Sequence, residues 1–103
     1  MPRPPTRKRC LAYDGDRVFK PRSIPMYALD KIRLDLSELE AMRLCDLEGH
    51  DQEAAGLRMG VSRGTIQRLL KSGRSKLLKV LLNNRALLIA EEAEHEELYV
   101  ELV

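Results

Sequence analysis

The side chains with the most evident chemistry lie in one acid-free run. From Arg63 to Lys79 there are six Lys or Arg and no Asp or Glu. Wound as a helix at about 100° per residue, Gly64, Gln67, Arg68, Lys71 and Ser75 share one side, flanked by Arg63, Thr65 and Arg74. These are groups that a DNA duplex accepts. Arg63 and Arg68 can each donate two hydrogen bonds to guanine O6 and N7, Gln67 can pair with adenine N6 and N7, and Gly64 lets the helix start approach the bases. Lys71, Arg74, Lys76 and the hydroxyls of Ser62 and Thr65 suit phosphates, and free N–H groups at the helix starts add anion affinity. The expected DNA-binding set is therefore Ser62, Arg63, Gly64, Thr65, Gln67, Arg68, Lys71 and Arg74.

The elements that must position these groups are legible around them. Residues 52–70, QEAAGLRMGVSRGTIQRLL, read as two helices joined by Gly60, Val61 and Ser62. A short helix is expected over 51–59, with Asp51 as its N-cap and Gly60 as its stop. Ser62 then caps a long helix running to about Asn83, whose Ile66, Leu69, Leu70, Gly73, Leu77, Val80 and Leu81 fall within one arc about 120° wide. This is the pattern of a helix-turn-helix. Gly56 permits the helices to approach, Gly60 can take the left-handed backbone of a sharp turn, and Val61 plugs the corner. Ala55, Met59, Ile66 and Leu69 close the core between them, so the opposite side of the long helix projects outward. The plainer reading is a helical domain whose last helix carries a solvated basic face.

Upstream, Ser37 followed by Glu40 fits a capping box, predicting a helix over 38–48 that Gly49 ends. Its apolar residues form two arcs: Ala41, Met42, Leu44 and Cys45 on one side, Leu36, Leu39 and Leu47 on the other. Exposing the three leucines would forgo roughly 1.5 to 3 kcal/mol each, so the second arc calls for cover from the N-terminal arm, the C-terminal segment or a second protomer. A strand is compatible with 27–34 and another with 86–90, while 91–103 is acidic with apolar Leu98, Tyr99, Val100, Leu102 and Val103. All five prolines and seven Lys or Arg lie within residues 1–25, which excludes a regular helix there. The organisation expected is a basic Pro-rich arm (1–26), a helix-turn-helix domain (27–90) and an acidic tail (91–103).

Composition narrows the alternatives. With 103 residues, 44% hydrophobic, 33% charged, no Trp and one Phe, one Leu-rich helical domain is favoured over an aromatic-rich sandwich. No run of about 18 apolar residues and no apolar stretch after the basic start is present, so neither a membrane span nor a signal peptide is expected, and the location expected is cytoplasmic. Net charge is +2, yet residues 1–33 hold nine bases against three acids, 34–90 nine against seven, and 91–103 none against six. That gradient favours a polyanion for part of the surface. Cys10, Cys45, His50 and His95 are suitable metal-ligand types without the paired spacing of a zinc site, and Cys45 reads as a small core residue, so no metal and no cofactor are expected. No phosphate loop, patterned nucleophile or HExxH segment occurs, and no enzyme is expected.

The opening MPRPPTRKRC, FKP at residues 19–21, LSELEAMRLCDLEGHDQEAAGLRMGVSRGTIQRLLKSGRSKL at 36–77 and the following LLNNRALLI resemble uncharacterised protein family 0251, also called domain of unknown function 134. The resemblance covers most of the chain. It implies a DNA-binding protein of bacteria and archaea whose helix-turn-helix is similar to region 4 of sigma factors. There that region holds the promoter's upstream element, and the matching positions are Arg63, Gly64, Gln67, Arg68 and Lys71. Departures are Gly56, where Ala is more usual, His50 in place of an apolar residue, and the acidic tail. The expectation is a mainly α, small helical domain with a sigma-region-4-like helix-turn-helix, room for a short β-strand pair near its ends, an extended basic arm and an acidic tail. Its expected role is a sequence-specific transcriptional regulator that reads duplex DNA as a homodimer, with the transcription machinery as a further candidate partner; the alternative is a protein-interaction adaptor. The arm, with Arg3, Arg7, Lys8 and Arg9, is expected on the DNA backbone or in a minor groove.

Overall fold

The computed structural model describes residues 8–11, 17–89 and 98–101. Arg3 and Arg7 of the arm and residues 91–97 of the tail lie outside them. The elements run β1 (Lys8–Leu11), β2 (Val18–Phe19), a 3-10 turn (Met26–Ala28), β3 (Lys31–Leu34), α1 (Leu36–Met42) continued by a π-turn (Arg43–Leu47), α2 (Gln52–Met59), α3 (Arg63–Asn83), β4 (Ala86–Ile89) and β5 (Leu98–Glu101). The chain is mainly helical, as its periodicity predicts. No helix among the described residues is long and apolar enough to cross a membrane.

The strands do more than form a pair near the ends. β4 is the centre of a three-stranded sheet, antiparallel to β2 and parallel to β3, in register Ile32 with Leu87 and Leu34 with Ile89. Val18 and Phe19, within the stretch expected to be arm, thus belong to this sheet. β1 and β5 form a separate parallel pair, Lys8 opposite Leu98, and β1 runs beside α1 and α2. Of the second leucine arc, Leu36 and Leu39 are half-buried against the core, while Leu47 is 80% exposed.

The start of α1 departs from expectation. Asp35, not Ser37, is the N-cap, and the Glu38 carboxylate accepts from the Asp35 N–H at 2.9 Å. The capping box is displaced by two residues, and Ser37 and Glu40 are buried. Glu40 instead accepts twice from Arg43, at 2.8 and 2.9 Å. Glu38 has a second task, because its carboxylate also accepts from the Ser72 hydroxyl and, at 2.8 Å, from Lys76 Nζ. Lys76 Nζ further donates to the Arg33 carbonyl at 2.9 Å. One buried carboxylate thereby ties α1 to α3, and one ammonium ties α3 to β3. The two helices cross at Gly73, where an added Cβ would lie 3.1 Å from Met42 Cε and 3.2 Å from Glu38 Cβ.

The core gathers Leu34, Ala41, Met42, Leu44, Ala55, Met59, Ile66, Leu70, Val80, Leu87 and Ile89. Along α3 the expected inner arc is only partly covered. Ile66, Leu70, Gly73 and Val80 are buried, whereas Leu77 and Leu81 are 37% and 68% exposed, and neighbouring Leu78 and Leu82 are 55% and 75% exposed. In the last two turns only Val80 reaches the core, and Asn84 at φ 52° ends the helix.

The corner between α2 and α3 is built on two glycines. Gly60 caps α2 at φ 72°, a left-handed backbone that glycine adopts without steric cost. At Gly56 the demand is for space, since a Cβ there would stand 2.7 Å from the Val61 carbonyl oxygen. An Ala cannot be accommodated at this position without a backbone shift. Gly56→Ala is therefore expected to lower stability by about 1 to 3 kcal/mol despite its better helix propensity; thermal unfolding checks this, and an unchanged or raised Tm would contradict the packing.

Candidate nucleic-acid interface

Ser62 begins the site. Its Oγ accepts from the Thr65 N–H at 3.1 Å and lies 3.0 Å from Thr65 Oγ1, while Asp51 caps α2 through the Ala54 N–H at 2.8 Å. Both caps stand where the side chains predict them, and they fix where α3 starts. From that start the buried side of α3 is held by Ile66 and Leu70, at 0% and 2% exposure, against Ala55 and Met59, both at 0%. A helix anchored along one side must present the other, and its orientation is set without any contribution from the exposed residues.

On that other side Arg63, Gln67, Arg68, Lys71 and Arg74 are exposed, and Gly64 and Thr65 are half-buried. Gln67, Lys71 and Arg74, spaced by four and three, form one stripe along the helix. Arg68 Nη2 donates to Thr65 Oγ1 at 3.2 Å, which leans the guanidinium toward the helix start. Among the described residues no carboxylate pairs with Arg63, Arg68 or Lys71. A Cβ on Gly64 would meet nothing closer than Arg68 Nη1 at 3.8 Å, so packing gives no reason for a glycine in this first turn.

Two expected phosphate groups behave differently. Lys76 turns inward to Glu38 and the Arg33 carbonyl and does not share the outer stripe. Arg74 is on the stripe, but it donates to Asp46 through Nη2 at 2.6 Å and Nε at 3.1 Å. Asp46 sits in the π-turn, whose wide hydrogen bond runs from the Glu48 N–H to the Arg43 carbonyl at 3.0 Å. Nothing in the order of residues signals this pairing, which spans 28 positions. The hydrogen bonds from Arg74 hold the Asp46 carboxyl below its ordinary value.

Beside the stripe an open cleft of about 950 Å3 is lined by Glu38, Gly56, Val61, Thr65, Arg68 and Ser72 among others, with Glu38 already bonded to Ser72 and Lys76. Cys45 is half-buried against the core, and desolvation pushes its thiol up. Among the described residues no three His, Cys, Asp or Glu side chains gather as metal ligands; His95 lies outside them. His50 is half-buried, with its N–H donating to the Leu44 carbonyl at 2.9 Å and its ring 3.5 Å from Glu48.

The family described as "Protein of unknown function DUF134" matches residues 1–98. The chain belongs to this family. Among DUF134 relatives, a "UPF0251 protein" of Pelotomaculum thermopropionicum is 46% identical over 89 residues, covering 86% of this chain and 67% of the relative. One from Moorella thermoacetica is 45% identical over 87 residues, covering 84% and 58%. One from Aeromonas salmonicida is 39% identical over 89 residues, covering 86% and 87%. The chain thus spans roughly three-fifths of the length of some of these curated relatives, as the 58% coverage illustrates. No solved structure matches it.

The depressed Asp46 carboxyl has a measurable consequence. Stability from its ionised form is present above the ordinary carboxylate value of about 3.9 and fades as pH falls through the lowered folded value. A carbon-detected NMR titration is expected to place the Asp46 midpoint below that ordinary value, and Arg74→Ala to return it upward; an ordinary midpoint in the unsubstituted chain would deny that the two side chains pair in solution.

Proposed function

We propose that this DUF134 protein is a sequence-specific DNA-binding protein acting in transcription, with α2, the Gly60–Ser62 corner and α3 as a helix-turn-helix. The observation that carries the reading is the division of α3. Its inner side is locked by buried apolar residues, and its outer side offers Arg63, Gln67, Arg68 and Lys71 with no carboxylate partner among the described residues. Such a rod fits the major groove, with residues near its N-terminus toward base edges. Arg63, Gln67 and Arg68 read bases in this scheme, while Lys71, Ser62 and Thr65 meet phosphates. The resemblance to sigma region 4 supports the same docking.

Gly64 adds support of another kind. It stands at the second position of α3 with no packing demand for a missing side chain, so its helix-propensity cost of about 1 kcal/mol brings no return within the folded chain. Close approach of the backbone to a ligand supplies one. A homodimer belongs to this reading as well, because one such unit offers little base-reading surface. Exposed Leu77, Leu78, Leu81 and Leu82 are apolar surface available to a second copy. The same leucines favour the adaptor reading, and the response to salt separates the two. Binding through phosphates weakens with a logarithmic slope of about −0.9 per contact, whereas an apolar protein interface barely responds.

Selection of sites from random duplexes by the purified protein, followed by salt titration on the selected site, is the decisive experiment. Arg68→Ala is expected to cost about 1 to 3 kcal/mol on that site and to relax the preference at one base pair, while Lys71→Ala weakens all sequences alike. Identical behaviour of the two variants would refute the assignment of roles. Gly64→Ala is expected to raise Tm through a gain of about 0.5 to 1 kcal/mol while weakening duplex binding; a gain in both would remove glycine from the interface.

A further inference from the structure

Asp46 is the one carboxylate among the described residues that bonds to the outer stripe of α3, and its position there needs an explanation. The pair does little for the fold: Asp46 and Arg74 side chains are 44% and 51% exposed, and ion pairs this wet contribute little to stability. Yet the contact is well formed, with two nitrogens of Arg74 donating to the two oxygens of Asp46. The forked guanidinium makes the same two-point contact with a phosphate as with a carboxylate. Arg74 lies one turn beyond Lys71, and so at the place where a backbone tracking Gln67 and Lys71 would next need a cation. Asp46 reaches it from a π-turn, a local widening of the helix that recurs at functional positions.

We infer that Asp46 is a built-in competitor of phosphate for Arg74. It occupies the guanidinium in the unbound chain and repels an approaching backbone, so that Arg74 is released only where the rest of the stripe is well seated. The carboxylate lowers affinity for arbitrary duplexes more than for a well-fitted site and thereby sharpens discrimination, in the way that an unfavourable element excludes wrong partners. This inference rests on the DNA reading above and assigns a role within it that neither the base-reading nor the phosphate group holds.

The experiment uses the full chain and a fluorescein-labelled duplex of arbitrary sequence, with anisotropy read across a salt series. Asp46→Asn is expected to tighten binding about two- to five-fold at low salt, the change that about 0.5 to 1 kcal/mol of surface electrostatics produces. Its log–log salt slope is expected to steepen by about 0.9, one added phosphate contact. The deciding comparison is the double variant: in an Arg74→Ala background, Asp46→Asn must lose the added slope. Retention of that slope without Arg74 would show a diffuse charge effect and overturn the competitor role, as would an Asp46→Asn slope equal to that of the unsubstituted chain. Asp46→Ala, checked for an unaltered far-ultraviolet spectrum, repeats the measurement by a second route. Salt-independent behaviour of the unsubstituted chain is a different result, which defeats the DNA reading and this role together.

Discussion

The approach of the Val61 carbonyl to the Gly56 Cα sets how closely the start of α3 sits on α2, and most other features of the site follow from that distance. With the turn pressed onto Gly56, the N–H of Val61 reaches the Gly56 carbonyl at 2.9 Å, Ser62 falls into place as a cap, and Ile66 drops into the pocket formed by Ala55 and Met59. A wider corner would leave the same residues helical but would rotate and lift α3. Ridge-into-groove packing offers few alternative seats between these extremes. The outward direction of Arg63, Gln67 and Lys71 is thus fixed by atoms on the far side of the helix.

A second constraint acts midway along α3. Glu38 is buried with three donors arranged around it, from Asp35, Ser72 and Lys76. A buried carboxylate tolerates no loss of partners, because each missing bond leaves desolvated charge uncompensated. Polar contacts of this kind specify register where apolar contacts alone allow slippage. Here they lie at the Gly73 crossing itself, where Glu38 also packs against Gly73, so α1 meets α3 at one axial position only.

Much of this was legible in the chain, and the exceptions share a cause. Ser62, Asp51, Gly60 and the inner arc from Ile66 to Gly73 act within a few residues of where they stand, and local rules place them. The start of α1 is different, because Asp35 with Glu38 and Ser37 with Glu40 satisfy the same three-residue rule. The choice falls to Asp35 because Glu38 is also wanted by Ser72 and Lys76, more than thirty positions away. Lys76 turning inward and Arg74 meeting Asp46 belong to the same class: the periodicity of α3 gives their angle on the helix, but only the packed neighbour shows what stands opposite. Leu77 and Leu81 carry the converse lesson, since they share the apolar arc of buried Val80 and yet stay exposed. The chemistry of the stripe itself needed no long-range information, as it resides in which residues were spared burial.

β3 ends immediately before α1 and β4 starts immediately after α3, so the parallel pair from Lys31 to Leu34 and Ala86 to Ile89 is a clasp across the two ends of the helical unit. Its ladder closes a loop of about fifty residues, at an entropic cost that grows only slowly with loop length. Burial of Leu34, Leu87 and Ile89 in the core offsets that cost. A clasp seated in this way binds the ends of the helical unit to the corner that aims α3, since its side chains share one buried cluster with Ala55, Met59 and Ile66.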